Sequence, residues 1–146
     1  MKYDKKKHLN LLKYSEELEK QEKTLSYEDF LEFCEFSVML MSHLHWENRD
    51  HYFELINELL NGPIEFFKLR RKHRAISDAV KRLESDLIFF EPNEKSKGFN
   101  DLIDELVSLF DRYCPVPSIR EKHEFSEEEL KNLIQKIFIE MKTHYT

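Results

Sequence analysis

Residues 26–44 read SYEDFLEFCEFSVMLMSHL, and the periodicity of this stretch decides the fold class. Ser26 followed by Asp29 forms a helix start, a capping residue with an acid at the third helical position, close to a capping box that strictly wants Glu or Gln. On a helical wheel zeroed at Glu28, the positions Tyr27, Phe30, Leu31, Phe33, Cys34, Phe36, Val38, Leu40, Met41 and Leu44 fill an arc from about 80° to about 300°. Glu28, Glu32 and Glu35 occupy the gap. The expectation is a central core helix with one narrow solvent stripe, and that stripe is acidic.

The same periodicity continues on both sides. Leu9, Leu11, Leu12, Tyr14 and Leu18 give a weakly patterned first helix over about residues 5–23. Residues 48–61 place Tyr52, Leu55, Ile56 and Leu59 on one face and stop at Asn61-Gly62-Pro63, a strong helix terminator. From Ile64 a seven-residue pattern through Leu69, His73, Ile76, Val80, Leu83 and Leu87 predicts one long helix to about Phe90, with Arg74 or Ser77 as sites for a break. Asn100 is expected to cap a short helix carrying Leu102, Ile103, Leu106 and Leu109, which ends before Cys114-Pro115-Val116-Pro117. Ser126 and Glu129 form a full capping box ahead of Leu130, Leu133, Ile134, Ile137, Phe138 and Met141. No strand-period alternation of useful length and no internal repeat interrupts this pattern. The expected architecture is all-α, an irregular bundle of about six helices in a single domain spanning residues 1–146.

Composition agrees with that class and removes others. Leu, Ile, Val and Phe make up about 30% of the 146 residues, well above the range of disordered chains. Two glycines are too few for the turns of an all-β fold or for a glycine-rich phosphate loop. The longest apolar runs have four residues against the roughly 20 a membrane helix needs, and the charged amino-terminal segment has no secretory character. A cytoplasmic protein is expected, with Cys34 and Cys114 as reduced thiols.

The chemistry-bearing clusters are few. Residues 43–51, HLHWENRDH, hold three histidines, and in an unbroken helix His43 and Glu47, or Glu47 and His51, would lie four apart. Two ligands do not make a metal site, and neither H-E-x-x-H nor E-x-x-H occurs. Cys34 stands between Glu32 and Glu35 on the apolar arc, surroundings that disfavour a thiolate. No catalytic residue, metal or cofactor is assigned, and the protein is expected not to be an enzyme. The run Lys68 to Arg74, with Arg70, Arg71, Lys72 and Arg74, is the alternative site, a cationic helix face for nucleic acid. The negative net charge of the chain, −6, argues against it, and the simpler role for these cations is pairing with residues 15–62.

That stretch carries twelve acidic residues against three basic ones. An acidic face attracts cationic partners and repels nucleic acid. The candidate binding residues are Glu28, Glu32, Glu35 and Asp50, with Trp46 and Tyr52 as aromatic anchors. In size, acidic composition, reduced cysteines, helical character and the acidic-aromatic stretch from Ser26 to Glu58, the chain resembles the immunity proteins of bacterial toxin systems, of the colicin or contact-dependent-inhibition type. The Tyr-Tyr-Pro element of the DNase-colicin immunity proteins is absent, so no binding residues carry over from them. The resemblance implies a cytosolic, non-catalytic inhibitor whose partner is a cognate basic protein, a toxin nuclease domain.

Overall fold

Among the residues described in the computed structural model, 2–84 and 86–146, six helices account for 70% of the chain. The side chains of Phe66, Val80, Arg82 and Leu83 are outside the description, and with them those positions of the expected seven-residue pattern. The order is β1 (Tyr3–Asp4), α1 (Lys5–Lys20), α2 (Tyr27–Glu47), α3 (Arg49–Leu60), α4 (Phe66–Glu84), β2 (Phe89–Phe90), α5 (Ser96–Asp111) and α6 (Glu127–His144). The fold is all-α, with one minimal antiparallel ladder that pairs Tyr3 with Phe90 and Asp4 with Phe89. No helix in the described chain is long and apolar enough to cross a membrane.

The helix starts follow the expected chemistry where a side chain can reach a free N–H. Ser26 Oγ accepts from the Asp29 N–H at 3.2 Å. The Ser126–Glu129 box is complete, with Ser126 Oγ accepting at 3.2 Å and the Glu129 carboxylate accepting the Ser126 N–H at 3.3 Å. These reciprocal bonds satisfy two of the four donors that every helix leaves unpaired at its start.

Four expectations are corrected. α5 begins at Ser96, four residues before Asn100, because Asn93 already turns the chain there: its side chain accepts the Lys95 N–H at 2.8 Å and its carbonyl accepts the Ser96 hydroxyl at 2.7 Å. Asn100 is instead buried inside the helix. The fourth helix runs unbroken but starts at Phe66 and ends at Glu84. Ile64 stays outside it, buried, its N–H held by the Glu127 carboxylate of α6. At the other end, Phe89 and Phe90 leave the helical path to pair with β1, and the Tyr3 ring stacks on Phe90 at 4.7 Å. Finally, α2 meets α5, α1, α4 and β1 as a central helix should, but its solvent stripe is not narrow: it buries four of its twenty-one residues, Phe36, Leu40, Ser42 and Leu44, against seven of sixteen in α5.

The core is one cluster built on α5, with Phe99, Leu102, Ile103, Leu106 and Leu109 meeting α2 on one side and Leu130, Ile134 and Ile137 of α6 on the other. α3 adds Tyr52, Leu55, Ile56 and Leu59 against α6. α1 buries nothing and lies on α2.

These placements separate stabilising positions from surface ones. Phe99→Ala should cost about 3–5 kcal/mol of unfolding free energy, while Leu31→Ala on the outer side of α2 should change it by less than about 0.5 kcal/mol; urea denaturation of both variants reads the difference. The Ser42 hydroxyl is buried without a hydrogen-bond partner, so Ser42→Ala should stabilise the fold by about 1 kcal/mol in the same assay.

Candidate functional site

α2 is wider in its apolar character than its neighbours can cover. Phe36, Leu40 and Leu44 point into the core, but Tyr27 is 75% exposed, Phe30 52%, Leu31 42%, Val38 46% and Met41 41%. The expected core arc therefore splits in two. Around 80–160° Phe36, Leu40 and Leu44 are buried, Phe36 edge-on to Tyr3 of β1, and the half near 200–300° is exposed along the first four turns. Cys34 sits half-buried within that outward half. Sequence reasoning assigned these residues to the core, because a wheel reports that a face is apolar and not whether anything packs on it. An arc of about 220° was the available sign that the neighbours would fall short.

The acidic stripe borders the open half. Glu28 and Glu35 are exposed, and Glu32 is half-buried beside Lys7, Asn10 and Tyr14 of α1. Trp46 lies in the same direction on the wheel, about 16 Å farther along the axis than Glu35. It is half-buried, edge-on to Phe99 at 5.8 Å, and its ring is covered by the Arg49 guanidinium at 3.7 Å. Asp50 is exposed on α3. Tyr52 does not join this surface: it is 3% exposed, packed edge-on against His45 and Phe99, and burial pushes its phenol pKa up. A residue so enclosed is a core aromatic and cannot anchor a docked partner.

The basic run is divided by its helix. Lys72 pairs with Glu58 of α3, as charge balance between the two stretches suggested. Lys68 and Arg71 are exposed. Arg70 and Arg74 turn to the other side and, with Lys81, His73 and Ser77, line an open cleft of about 520 Å³ against Phe110, Asp111 and Tyr113 at the end of α5. Asp78 and Asp111 offset two of the three cations. The carboxyl end of α5, with its negative dipole, closes the same wall.

The histidines are engaged one by one. α2 ends at Glu47 with Asn48 as its cap, so Glu47 and His51 do not share one helix. His43 stacks on Phe90 at 4.1 Å. His45 Nδ1–H donates to Asn100 Oδ1 at 2.6 Å, joining α2 to α5. His8 bridges Tyr3 Oη at 2.9 Å and Ser37 Oγ at 3.0 Å. Because the Ser37 hydroxyl donates to the Phe33 carbonyl, His8 Nε2 supplies the proton to Ser37 and Nδ1 accepts from Tyr3. This Ser–His–Tyr row is a structural clasp, since the serine proton is already committed to the backbone. No group of three or more His, Cys, Asp or Glu among the described residues is placed to hold a metal ion.

No family model matches the chain, and neither a curated protein nor a solved structure matches it.

The half-buried histidines make stability depend on pH with a definite sign. Burial holds His8, His43, His45 and His73 below the ordinary value of 6.5, against the opposing pull of Glu84, Glu47, Asp104 and Asp111 respectively. For His45 the bond to Asn100 also opposes the shift, and nearby His73 adds to it. Below that value the unfolded chain binds protons that the folded chain resists. The stabilising contribution is therefore complete above about pH 6.5 and is lost as pH falls through the depressed folded values. The urea midpoint should drop between about pH 7.5 and 5, and His45→Gln, which keeps a donor for Asn100, should make that drop shallower.

Proposed function

We propose that the chain is a non-catalytic binding protein that neutralises a cationic protein partner through α2. The observation that carries this is the uncovered outer half of α2: apolar and aromatic side chains exposed in a row and bordered by Glu28 and Glu35. Apolar contact supplies affinity at the centre of an interface, and flanking charge speeds encounter and selects the sign of the partner. Around this face, residues 15–62 carry a net charge of −9, and the Lys72–Glu58 pair offsets one of those charges from the basic run. Trp46 and Asp50 extend the face toward α3, and Glu32 supports it from the α1 side. The resemblance to toxin immunity proteins supplies the class of partner: a basic nuclease domain in the same cytoplasm.

A second reading has one observation in its favour. Arg70, Arg74 and Lys81 converge on a single cleft with an aromatic wall, an arrangement suited to a nucleic-acid backbone with a base beside it. The two carboxylates and the helix carboxyl end in that cleft weaken it. Retention on a heparin column at moderate salt separates the two, since an acid-faced inhibitor flows through.

The direct test is affinity capture from the native host at low and at high salt, followed by binding kinetics with the captured protein. One basic protein recovered in near-equal amount, released by salt, is the expected result. The triple variant E28K/E32K/E35K should then associate at least about tenfold more slowly at low salt. Unchanged kinetics in that variant remove this face from the function.

A further inference from the structure

We infer that the open side of α2 is one half of a two-stranded coiled-coil seam, and that its occupant is a partner helix carrying Lys or Arg beside its own apolar seam. This rests on the binding role proposed above and specifies how the partner is gripped.

Tyr27, Leu31, Cys34, Val38 and Met41 are separated by four, three, four and three residues. That is the 3.5-residue repeat of a coiled-coil contact line, with Tyr27, Cys34 and Met41 at the d positions and Leu31 and Val38 at a. Over these two heptads, about 21 Å of helix, a straight α-helix drifts only about 40°, so all five side chains address one neighbour. None of them is in the buried core, and four are more than 40% exposed. The next a position is His45, and there the seam is already filled: His45 is tied to Asn100 of α5. The line therefore has an occupant within the fold at its carboxyl end, while among the described residues no element buries it from Tyr27 to Met41.

The flanks state what the missing helix carries. Glu28 and Glu35 follow d positions directly, so both are e residues, seven apart; the matching g residues are Phe30 and Ser37. In a parallel pair an e residue faces the partner's g, and in an antiparallel pair it faces the partner's e. A second copy of this chain brings no complementary charge in either direction. Parallel docking sets the glutamates against Phe30 and Ser37, with no charge to meet them, and antiparallel docking sets Glu28 and Glu35 against each other. A helix with Lys or Arg at the flanking positions satisfies both glutamates in either direction.

The test uses the full chain and a synthetic three-heptad helix with Ile at a, Leu at d and Lys at e and g. Its controls are the same peptide with Glu at e and g, and a scrambled Lys peptide without the seam. The Lys helix should bind, and both controls should be at least about tenfold weaker. E28K/E35K should invert the preference between Lys and Glu helices. L31D/V38D should abolish binding while far-UV circular dichroism and the urea midpoint stay as in the parent. Alkylation of Cys34, which lies in the middle of the seam, should slow when the Lys helix is saturating. Three outcomes overturn the inference: no binding of the Lys helix, equal binding of the scrambled peptide, or a dimer of the chain in sedimentation that V38D dissolves. If the Lys helix fails but a basic protein captured from the host still loses affinity in E28K/E32K/E35K, the binding role stands and only the coiled-coil grip is lost.

Discussion

The packing of α5 against α2 is the contact on which the other elements depend. α5 presents Phe99, Leu102, Ile103, Leu106 and Leu109 to both α2 and α6, and close packing of such side chains is what fixes helix positions in a small all-α core. Near the carboxyl end of α2 and the amino end of α5 the His45–Asn100 bond pins the register of the two helices, because a part-buried donor and a buried acceptor that slip apart lose their partner and its free energy. The lengths do not match, however. A helix of twenty-one residues is about 31 Å long and one of sixteen about 24 Å, so α5 cannot cover α2 from end to end.

The opposite side of the amino-terminal half of α2 is closed by a different device. α1 buries no residue of its own, and its apolar side chains Leu9, Leu12 and Tyr14 remain exposed, so burial alone does not hold it. It is held from its start. Tyr3 is enclosed between β2 and α2, with Phe90 stacked on its ring and Phe36 edge-on at 5.9 Å. His8 then clasps Tyr3 to Ser37. Phe90 carries the Tyr3 ring and the His43 ring both in stacked orientation. A two-residue ladder is too short to be stable unaided, and the aromatic stack on Phe90 supplies what the ladder lacks.

Much of this was legible in the sequence, and the failures have a common cause. The starts at Ser26 and Ser126, the stop at Asn61-Gly62-Pro63 and the buried face of α6 all depend on residues within one turn of each other, where local chemistry decides. The fate of Phe89 and Phe90 depended on Tyr3, more than eighty residues away, so their apolar character fitted the end of a helix equally well. Asn100 shows the same limit from the polar side: as a capping residue it is sensible locally, but its partner is His45 on another helix. For the candidate site the acidic positions Glu28 and Glu35 were readable as exposed because charge seeks solvent. The apolar residues beside them were not, since whether another element packs on Leu31 or Val38 is settled by the tertiary arrangement and not by their own spacing. Tyr52 failed as a surface residue for the converse reason, enclosed by rings from α2 and α5 that no spacing rule announces.

An exposed row of apolar side chains is a hazard to the chain that bears it, for identical rows on two copies will find each other unless something opposes them. In the proposed binding role that opposition is built from the residues that select the partner. Glu28 and Glu35 lie along the edge of the row at a spacing of seven, so they meet their own copies whenever two α2 helices align head to tail, and they meet only Phe30 and Ser37 when the helices align in parallel. A basic helix reverses the sign of the same interaction. In that proposed role, two carboxylates at fixed positions on this edge do two things at once: they oppose antiparallel pairing of two copies, and they leave the seam open for a partner of opposite charge. Their value lies less in affinity, which exposed ion pairs supply at well under about 1 kcal/mol each, than in deciding which of several apolar surfaces is allowed to close on this one.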